Sequence, residues 1–224
     1  MRAIQLFIKR AFDITASLIL IILLTVIPVL IVVPILIKLT SKGPAVFKQD
    51  RVGKGGKVFK IYKFRTMLIP EQSTNPDGTM KTPKERITKI GRFLRKTSLD
   101  ELMQLFNVLS GHMSLIGPRP TLPAQVEKYT DYHKQRHNMR PGVTGLAQVN
   151  GRNDINWDQK IEYDIEYINN YSLWLDIKIL FKTVAVVLGA KGIAFRDGDA
   201  KLTKAPAPSE NEQASEVYNS AQNQ

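Results

Sequence analysis

The chain has 224 residues, enough for one domain with a buried core and an additional anchor segment. Its 32 Lys and Arg residues against 20 Asp and Glu residues give a formal charge of +12 at pH 7, which predicts an anionic partner such as nucleic acid, a phosphate ligand or a lipid headgroup. The absence of cysteine excludes disulfides and thiolate catalysis, and it leaves the redox compartment undetermined.

Residues 14–37 form an apolar run without a charge. A straight helix of this length would reach about 36 Å, enough for a hydrocarbon core of ~30 Å, so a single transmembrane helix is one interpretation. However, Pro28 and Pro34 interrupt the run, and basic residues, which mark the cytoplasmic side, flank both of its ends. We therefore favour a re-entrant membrane anchor over residues 1–40 that bends near Pro28, with Thr25 as the nearest side chain able to satisfy a freed carbonyl.

Three further elements are predicted before the middle of the chain. Residues 45–67 have alternating apolar positions around the sequence GKGG, which is typical of a β-hairpin; a phosphate-binding nest is the less favoured alternative. Residues 68–85 are polar and rich in turn-forming residues, and predict a loop. Over residues 87–94 the apolar positions recur at helical spacing with Lys and Arg between them. This helix brings cations, including Arg95, to the start of the next segment.

The segment RKTSLDELMQLFNVLSG, residues 95–111, predicts a helix that begins after Ser98 and ends at Gly111. Ser98 and Glu101 have the spacing of a capping box, and the adjacent acids Asp100 and Glu101 complement the positive end of the helix dipole. Two interpretations are open. The acid pair stabilises the start of the helix, or the capped helix start holds a reactive carboxylate in place. In this setting we expect Asp100 to stay ionised at neutral pH.

Two loops rich in proline or glycine follow the acid pair. In the first, Pro118 and Pro120 restrict the backbone around Arg119, so that its guanidinium can grip a phosphate. Taken alone, a Gly-Pro-Arg-Pro sequence more often marks the end of a helix or strand, with the Arg side chain exposed to solvent and without a ligand. The second loop, residues 139–153, carries Arg152, and by itself it also predicts an ordinary loop.

The C-terminal third predicts helices and a tail, without a metal site. His133 and His137 are separated by one helical turn, but a third ligand is missing and neighbouring cations would oppose a metal. Residues 157–189 predict two amphipathic helices, which either pack into a core or, as we favour beside a membrane anchor, lie in the membrane interface. Residues 203–224 are poor in large apolar side chains and predict a disordered tail.

The order of the segments is more specific than any one of them. The sequences FKIYKFRTM, TSLDELMQLFNVLSGHMSLIGPRP and RPGVTGLAQVNGRN follow a proline-broken apolar segment. Together they resemble the bacterial sugar transferase family, the monotopic phosphoglycosyl transferases, over roughly residues 7–190. The chain departs from the family pattern at His112, where many relatives have an acid, and at Ile27, where a polar residue commonly precedes the proline.

The resemblance implies a reaction and a cellular location. Members transfer a sugar-1-phosphate from a nucleoside-diphosphate sugar, usually a UDP-sugar, to polyprenyl (undecaprenyl) phosphate, which starts the assembly of a glycan. The expected location is the bacterial inner membrane, with the catalytic domain on the cytoplasmic face. The expected partners are the two substrates and one membrane leaflet, and no nucleic acid.

The resemblance also implies roles for particular residues. Asp100 matches the nucleophile that forms an acyl-phosphate with the phosphosugar and releases UMP, and Glu101 matches the residue that supports Mg²⁺ and the acceptor, so that both carboxylates are expected at the metal. Arg119 and Arg152 match phosphate-binding residues. Because a diphosphate repels a carboxylate, we also expect Arg95 to neutralise part of its charge.

The predicted fold is α+β and mostly helical. It consists of the anchor over residues 1–40, a catalytic domain over residues 41–202 with a small β-hairpin and interfacial helices, and the tail over residues 203–224. Two other functions stay open: a membrane-tethered basic protein that binds anionic lipid or nucleic acid, and a membrane phosphohydrolase that uses water in place of the lipid acceptor. The chain has no aromatic-interleaved nucleic-acid motif, which argues against nucleic acid.

Overall fold

The computed structural model describes residues 2–75, 77–151 and 155–189, and within them the protein is mostly helical, as predicted, and contains two small sheets. The helices are α1 (Arg2–Val26), α2 (Val29–Thr40), α3 (Pro83–Arg86), α4 (Lys89–Thr97), α5 (Gln104–Leu109), α6 (Pro123–Val126), α7 (Asp131–Lys134), α8 (Leu146–Asn150), α9 (Trp157–Asn169) and α10 (Leu173–Leu188). The strands are β1 (Val46–Val52), β2 (Val58–Phe64), β3 (Ser114–Ile116) and β4 (Gly142–Thr144). The predicted tail and Arg152 lie outside the described residues.

The β-hairpin prediction is confirmed. Strands β1 and β2 pair antiparallel along their whole length, with Val46 opposite Phe64 at the open end. In the connection, Gly55 and Gly56 have φ of 66° and 75°, a left-handed conformation that explains the paired glycines of GKGG. Strands β3 and β4 form a second, parallel pair.

The N-terminal apolar segment is two helices that meet at a bend. The break lies between Val26 and Val29, so the predicted interruption at Pro28 is confirmed, and the two helix axes differ in direction by 61°. Among the described residues no helix alone has the length and apolar content to cross a bilayer, whereas α1 and α2 reach that threshold together as a bent pair. The insertion of this pair into a membrane stays a prediction.

Two details of the proline predictions are wrong. Pro34 does not interrupt the run but lies inside α2, where the helix is packed through the buried Val33 and Ile37 and tolerates the loss of one N–H donor. The Thr25 hydroxyl donates to the Ile21 carbonyl at 2.8 Å, not to the carbonyl that Pro28 frees, because a helical threonine reaches the carbonyl one turn before itself.

Helix α1 has an inverted distribution of polar and apolar residues. Lys9, Asp13 and Ser17 follow each other at one-turn intervals, and all three are buried against the rest of the protein. The exposed side of the two helices is apolar, and its members include Phe7, Phe12, Leu18, Ile19, Ile22, Leu23, Val26, Ile31, Ile35 and Leu39. In water the opposite arrangement is expected, since charged residues are almost never fully buried unless they are paired.

The buried polar residues of α1 attach it to three later elements. Arg10 donates from Nη1 to the Val108 carbonyl at 2.7 Å and so caps the end of α5. The Asp13 carboxylate accepts from the backbone N–H of Leu115 in β3 at 3.0 Å. Lys9 forms a buried ion pair of 2.7 Å with Asp176 in α10. The N-terminal helix is therefore bonded to the elements around the candidate site.

Two clusters of buried apolar side chains hold the remaining elements together. In the first, Phe64 of β2 and Leu94 of α4 pack against α2, which confirms the helix predicted from the apolar spacing of residues 87–94. In the second, Tyr167 of α9 and Ile179 of α10 pack against β3 and α8. The two helices predicted within residues 157–189 are thereby confirmed.

Candidate active site

The two adjacent acids lie in a short 3₁₀ turn and not in the predicted helix. Helix α4 continues to Thr97, and Ser98 ends it in the left-handed conformation at φ 58° and ψ 14°, the one positive φ of a non-glycine residue in the described chain. Its side chain makes no capping hydrogen bond, so the predicted cap after Ser98 is wrong. The 3₁₀ turn covers Leu99–Glu101. Because Ser98 redirects the chain, Asp100 and Glu101 turn inward and are 5 % and 6 % exposed.

Two cations contact the Glu101 carboxylate. Lys63 of β2 approaches Glu101 Oε1 with its Nζ at 3.4 Å, and Arg119 approaches the same oxygen with its Nη2 at 3.3 Å. Such pairing is required, because an ionised carboxylate removed from water is stable only with charged or hydrogen-bonding partners. The structure thus brings Glu101 and Arg119, both predicted as site residues, into direct contact.

The proline-flanked turn that carries Arg119 is fixed on both sides. The carbonyl of Pro118 accepts from the Gly142 N–H at 2.8 Å, and the carbonyl of Pro120 accepts from Arg51 Nη1 at 3.4 Å. One residue further, the Thr121 carbonyl accepts from the backbone of β1 at 2.8 Å. These bonds and the fixed φ of proline hold the Arg119 backbone in one position.

Behind this turn lies a buried ion pair that the sequence did not indicate. Arg136 donates from Nη2 to the Arg119 carbonyl at 3.1 Å and is paired with Asp164 of α9. Its Nη1 donates to the hydroxyl of Tyr129 at 2.6 Å. Burial raises the pKa of Asp164 to about 6, while Arg136 acts in the opposite direction. The pair therefore supports the Arg119 backbone from the protein interior.

Asp100, Glu101, Arg119 and Arg95 line one cleft of about 610 Å³, a size typical of small-molecule sites. The lining residues within the described chain include eight Lys and Arg side chains against three carboxylates, so an anionic ligand is favoured. Arg95 donates from Nε to the Thr66 hydroxyl at 2.9 Å, which fixes its position at the cleft. Pro28, at the helix bend, is not part of the cleft lining.

Sequence reasoning missed six of the eight Lys and Arg residues that line this cleft within the described chain, among them Lys63 and Lys160. Lys63 lies within FKIYKFRTM, and the only sequence feature that could have indicated it is the alternation of side chains along the predicted strand. Lys160 of α9 also lines the cleft, and its pKa is lowered by burial and by the nearby charge of Arg119. Two cations that face each other in this way favour an anion between them. Neither Lys160 nor Asp164 belongs to a recognisable motif, so only the tertiary structure identifies them.

The two carboxylates offer a donor set that suits magnesium. Mg²⁺ is commonly held by one or two carboxylates together with substrate phosphates and waters, and Asp100 and Glu101 supply such oxygens. The described residues contain no cluster of three or more His, Cys, Asp or Glu side chains, as a metal site made by protein alone would need.

The fold and the cleft define a mostly helical α+β protein that holds a pair of carboxylates among cations, beside an N-terminal pair of apolar helices. The chain belongs to the bacterial sugar transferase family, whose family model matches residues 4–190. This confirms the resemblance inferred from the motifs.

The relatives of this chain differ in length. The sugar transferase EpsL of Bacillus subtilis is 46% identical over 83% of this chain and 90% of its own length. The undecaprenyl-phosphate galactose phosphotransferase of Salmonella typhimurium is 44% identical over 83% of this chain, and a UDP-glucose:undecaprenyl-phosphate glucose-1-phosphate transferase of Klebsiella pneumoniae is 44% identical over 82%. Each of these two matches covers only 41% of the relative's own length.

Proposed function

We propose that this protein transfers a sugar-1-phosphate from a UDP-sugar to polyprenyl phosphate through a covalent intermediate on Asp100. The observation that carries the proposal is the buried carboxylate pair in a cleft whose other charged side chains are almost all cations. The names of the Salmonella and Klebsiella relatives describe reactions of this class with undecaprenyl phosphate, and that of the Klebsiella relative specifies UDP-glucose.

In the first step, a carboxylate oxygen of Asp100 attacks the phosphorus that bears the sugar. The bond from this phosphorus to the oxygen of UMP breaks, and UMP leaves with the electron pair of that bond. In the second step, a phosphate oxygen of the polyprenyl phosphate attacks the same phosphorus, and the acyl-phosphate bond breaks. The product is a polyprenyl-diphosphate-sugar, and Asp100 is regenerated as a carboxylate.

The cations of the cleft make this attack feasible. A carboxylate and a diphosphate repel each other, and Arg119, Lys63 and Arg95 reduce that repulsion where negative charge accumulates. Glu101 orients Arg119 and Lys63 through the contacts described above. We propose that Asp100 and Glu101 also hold Mg²⁺, which when bound would supply additional charge neutralisation. Arg152 is proposed, from the resemblance alone, as a further phosphate ligand.

The exposed apolar surface supports placement in one leaflet of a membrane. The outer side of α1 and α2 is apolar, and in α10 the exposed residues include Trp174, Ile177, Phe181 and Val184. A contiguous apolar surface of this extent is unfavourable in water and favourable in a bilayer. We propose that the bent pair enters and leaves the cytoplasmic leaflet, and that α10 lies in the interface, where a lipid-linked acceptor is present.

The test is mass spectrometry of the intact protein after incubation with a UDP-sugar and Mg²⁺, with the polyprenyl phosphate withheld. We expect a phosphosugar adduct at Asp100 and about one equivalent of UMP, and neither in Asp100→Asn, which keeps the shape but removes the charge. Glu101→Gln should lower turnover by about 10²-fold or more, since the cations lose their partner. An adduct on Glu101, or normal turnover in Asp100→Asn, would contradict the proposal.

The same experiment separates the alternative functions. Addition of polyprenyl phosphate should convert the adduct to lipid-linked product and restore continuous UMP release. A phosphohydrolase would release UMP continuously without the lipid, and a binding protein would release none.

A further inference from the structure

The side chain of Gln148, in α8, is an exception to the hydrogen-bonding pattern of the interior. Both polar atoms of its amide are buried, yet neither has a hydrogen-bond partner among the described residues. A buried amide can donate two hydrogen bonds and accept two, and the great majority of buried polar groups in folded proteins make at least one. An amide left without partners lowers the stability of the fold, so its presence requires an explanation, and a role in the function of the site is one.

Gln148 lies next to the turn that carries Arg119. Its Oε1 stands 2.9 Å from the place where a side chain on Gly145 would begin, and that same place is 2.1 Å from the Gly117 carbonyl. A residue larger than glycine at position 145 would therefore collide with both groups. The absence of a side chain there leaves room for both the amide and the carbonyl of Gly117, which immediately precedes the Pro118–Pro120 turn.

The position of the amide is fixed by its helix. Leu146 is buried in the cluster formed by α9 and α10, and Val149 packs against that cluster. The side of the cleft to which α8 belongs is formed with β4 and α10, and its described lining residues are all uncharged; they include Val143, Thr144, Ala147, Thr183 and Val186. This uncharged side is thus distinct from the one on which the cations surround Glu101.

We propose that the Gln148 amide binds the uracil base of the nucleotide substrate, an assignment that rests on the function proposed above. The diphosphate occupies the cationic side of the cleft, and an uncharged part of the same molecule occupies the side that α8 and α10 form. Uracil presents a fixed donor, N3–H, beside a fixed carbonyl acceptor, which is complementary to the acceptor and donor of one amide. The polyprenyl chain offers no such groups, whereas a sugar hydroxyl can also donate to and accept from an amide, so the sugar is the alternative that the experiment must separate.

The consequence is selectivity for the base. A site with a buried hydrogen-bonding group rejects a ligand that cannot complete the bonds more strongly than a purely apolar site does. The protein should therefore bind UMP better than 3-methyluridine 5′-monophosphate, in which a methyl group replaces the N3 hydrogen. Ribose 5-phosphate, which has no base, reports only on the phosphate-binding part of the site.

The experiment compares these three compounds as inhibitors of UDP-sugar turnover by the full-length protein in detergent or nanodiscs. For the wild type we expect 3-methyluridine 5′-monophosphate to be at least about tenfold weaker than UMP. In Gln148→Met, inhibition by UMP should weaken about tenfold, the difference between the two nucleotides should disappear, and ribose 5-phosphate should inhibit as before. In Gln148→Glu the side chain accepts hydrogen bonds but does not donate them, so inhibition by UMP should also weaken. Gln135→Met replaces an exposed glutamine outside the cleft and is the control. Inhibition by each of the three compounds should be unchanged in this variant.

The possible outcomes separate the parts of the proposal. Equal inhibition of the wild type by the two nucleotides would overturn it, even if the Gln148 variants fail to fold. Unchanged UMP inhibition in Gln148→Met, with a raised KM for the UDP-sugar, would place the amide at the sugar and so contradict the proposal. A raised KM for polyprenyl phosphate alone would place it at the acceptor. If the wild type binds no UMP at all, the proposed function itself fails.

Discussion

Glu101 shows how a single carboxylate depends on residues far away in the sequence. Its partners Lys63 and Arg119 are 38 and 18 residues distant, and all three side chains meet at one oxygen atom. Since the carboxylate is almost entirely buried, its charge is stable only while these contacts persist. The reactivity proposed for the neighbouring Asp100 therefore depends on the strand and the turn that deliver the two cations.

The Lys63 contact can be tested by comparing two lysines of the same strand. Lys63→Met keeps most of the side-chain volume but removes the charge at Glu101, and we expect turnover to fall by about tenfold to 10²-fold. Lys60→Met is the matched control, because Lys60 pairs with Asp50 at the exposed surface, where an ion pair contributes little. Steady-state rates with saturating UDP-sugar are the measurement, and an equal effect of the two substitutions would contradict the role of Lys63.

Asp164 is expected to act on catalysis through Arg119. In Asp164→Asn the Arg136 guanidinium loses its charge partner and no longer fixes the Arg119 carbonyl, so turnover should fall by about tenfold or more. The diagnostic measurement is a double-mutant cycle with Arg119→Met. If Asp164 acts through Arg119, its substitution should have little further effect on turnover once Arg119 has been replaced.

The matched control for Asp164 is a second buried ion pair away from the cleft. Asp176→Asn breaks the pair with Lys9, and breaking a buried pair costs about 3–5 kcal/mol of folding stability in either place. Turnover of both variants should be compared at a temperature where thermal denaturation shows each to be folded. A loss of turnover in Asp176→Asn as large as that in Asp164→Asn would assign the effect to stability alone.

At the scale of elements, periodicity predicted the hairpin and the longer helices, but not β4 and α8, which lie in residues 139–153 where an ordinary loop was predicted. The hairpin, α4, α9 and α10 all follow from apolar spacing, because each buries one side against a neighbour. The cap at Ser98 failed because a serine with a glutamate three residues later also occurs where a helix ends, and the local sequence does not separate the two cases. Gln148 and Asp164 were not predicted because their roles depend on residues that are distant in the sequence and adjacent only in the folded structure.

The bent pair gives a prediction of membrane topology that the composition makes easy to test. Because the chain has no cysteine, single cysteines at positions 2 and 42 can be introduced without background. We expect both to be protected from an impermeant thiol reagent in intact cells and labelled after lysis, since both ends are predicted to be cytoplasmic. Labelling of either position in intact cells would disprove the re-entrant arrangement. Pro28→Leu should favour a spanning form, because the uninterrupted run is long enough to cross.

For the whole molecule, one half-buried histidine contributes to the pH dependence of stability. Burial and the charge of Arg136 lower the pKa of His137 to about 4, and its Nε2 is buried without a partner among the described residues. Because the folded pKa lies below the ordinary 6.5, the unfolded chain binds a proton first as the pH falls. Titration of His137 should therefore lower the free energy of unfolding between pH 6.5 and about 4, while Asp164, whose folded pKa is raised, contributes with the opposite sign.

His137→Phe is the variant that isolates this effect. The ring of His137 stacks on Tyr129 at 5.8 Å, and a phenylalanine keeps that contact while it removes the titration. Denaturant unfolding of the variant between pH 7 and pH 4.5 should show a weaker decline than the wild type. An identical decline in both proteins would show that His137 is not the group responsible.

The inverted polarity of α1 has a consequence for how the protein is made. The ribosome synthesises this helix before the elements it bonds to, because the groups that pair with Arg10, Asp13 and Lys9 come 98, 102 and 167 residues later. At roughly 5–20 residues per second, the Lys9 ammonium waits on the order of ten seconds or more for Asp176. During that interval the helix carries a charge and a carboxylate without their partners, and its final position requires α10. A chain that stops before α10 is therefore expected to remain improperly anchored and to be removed by proteolysis.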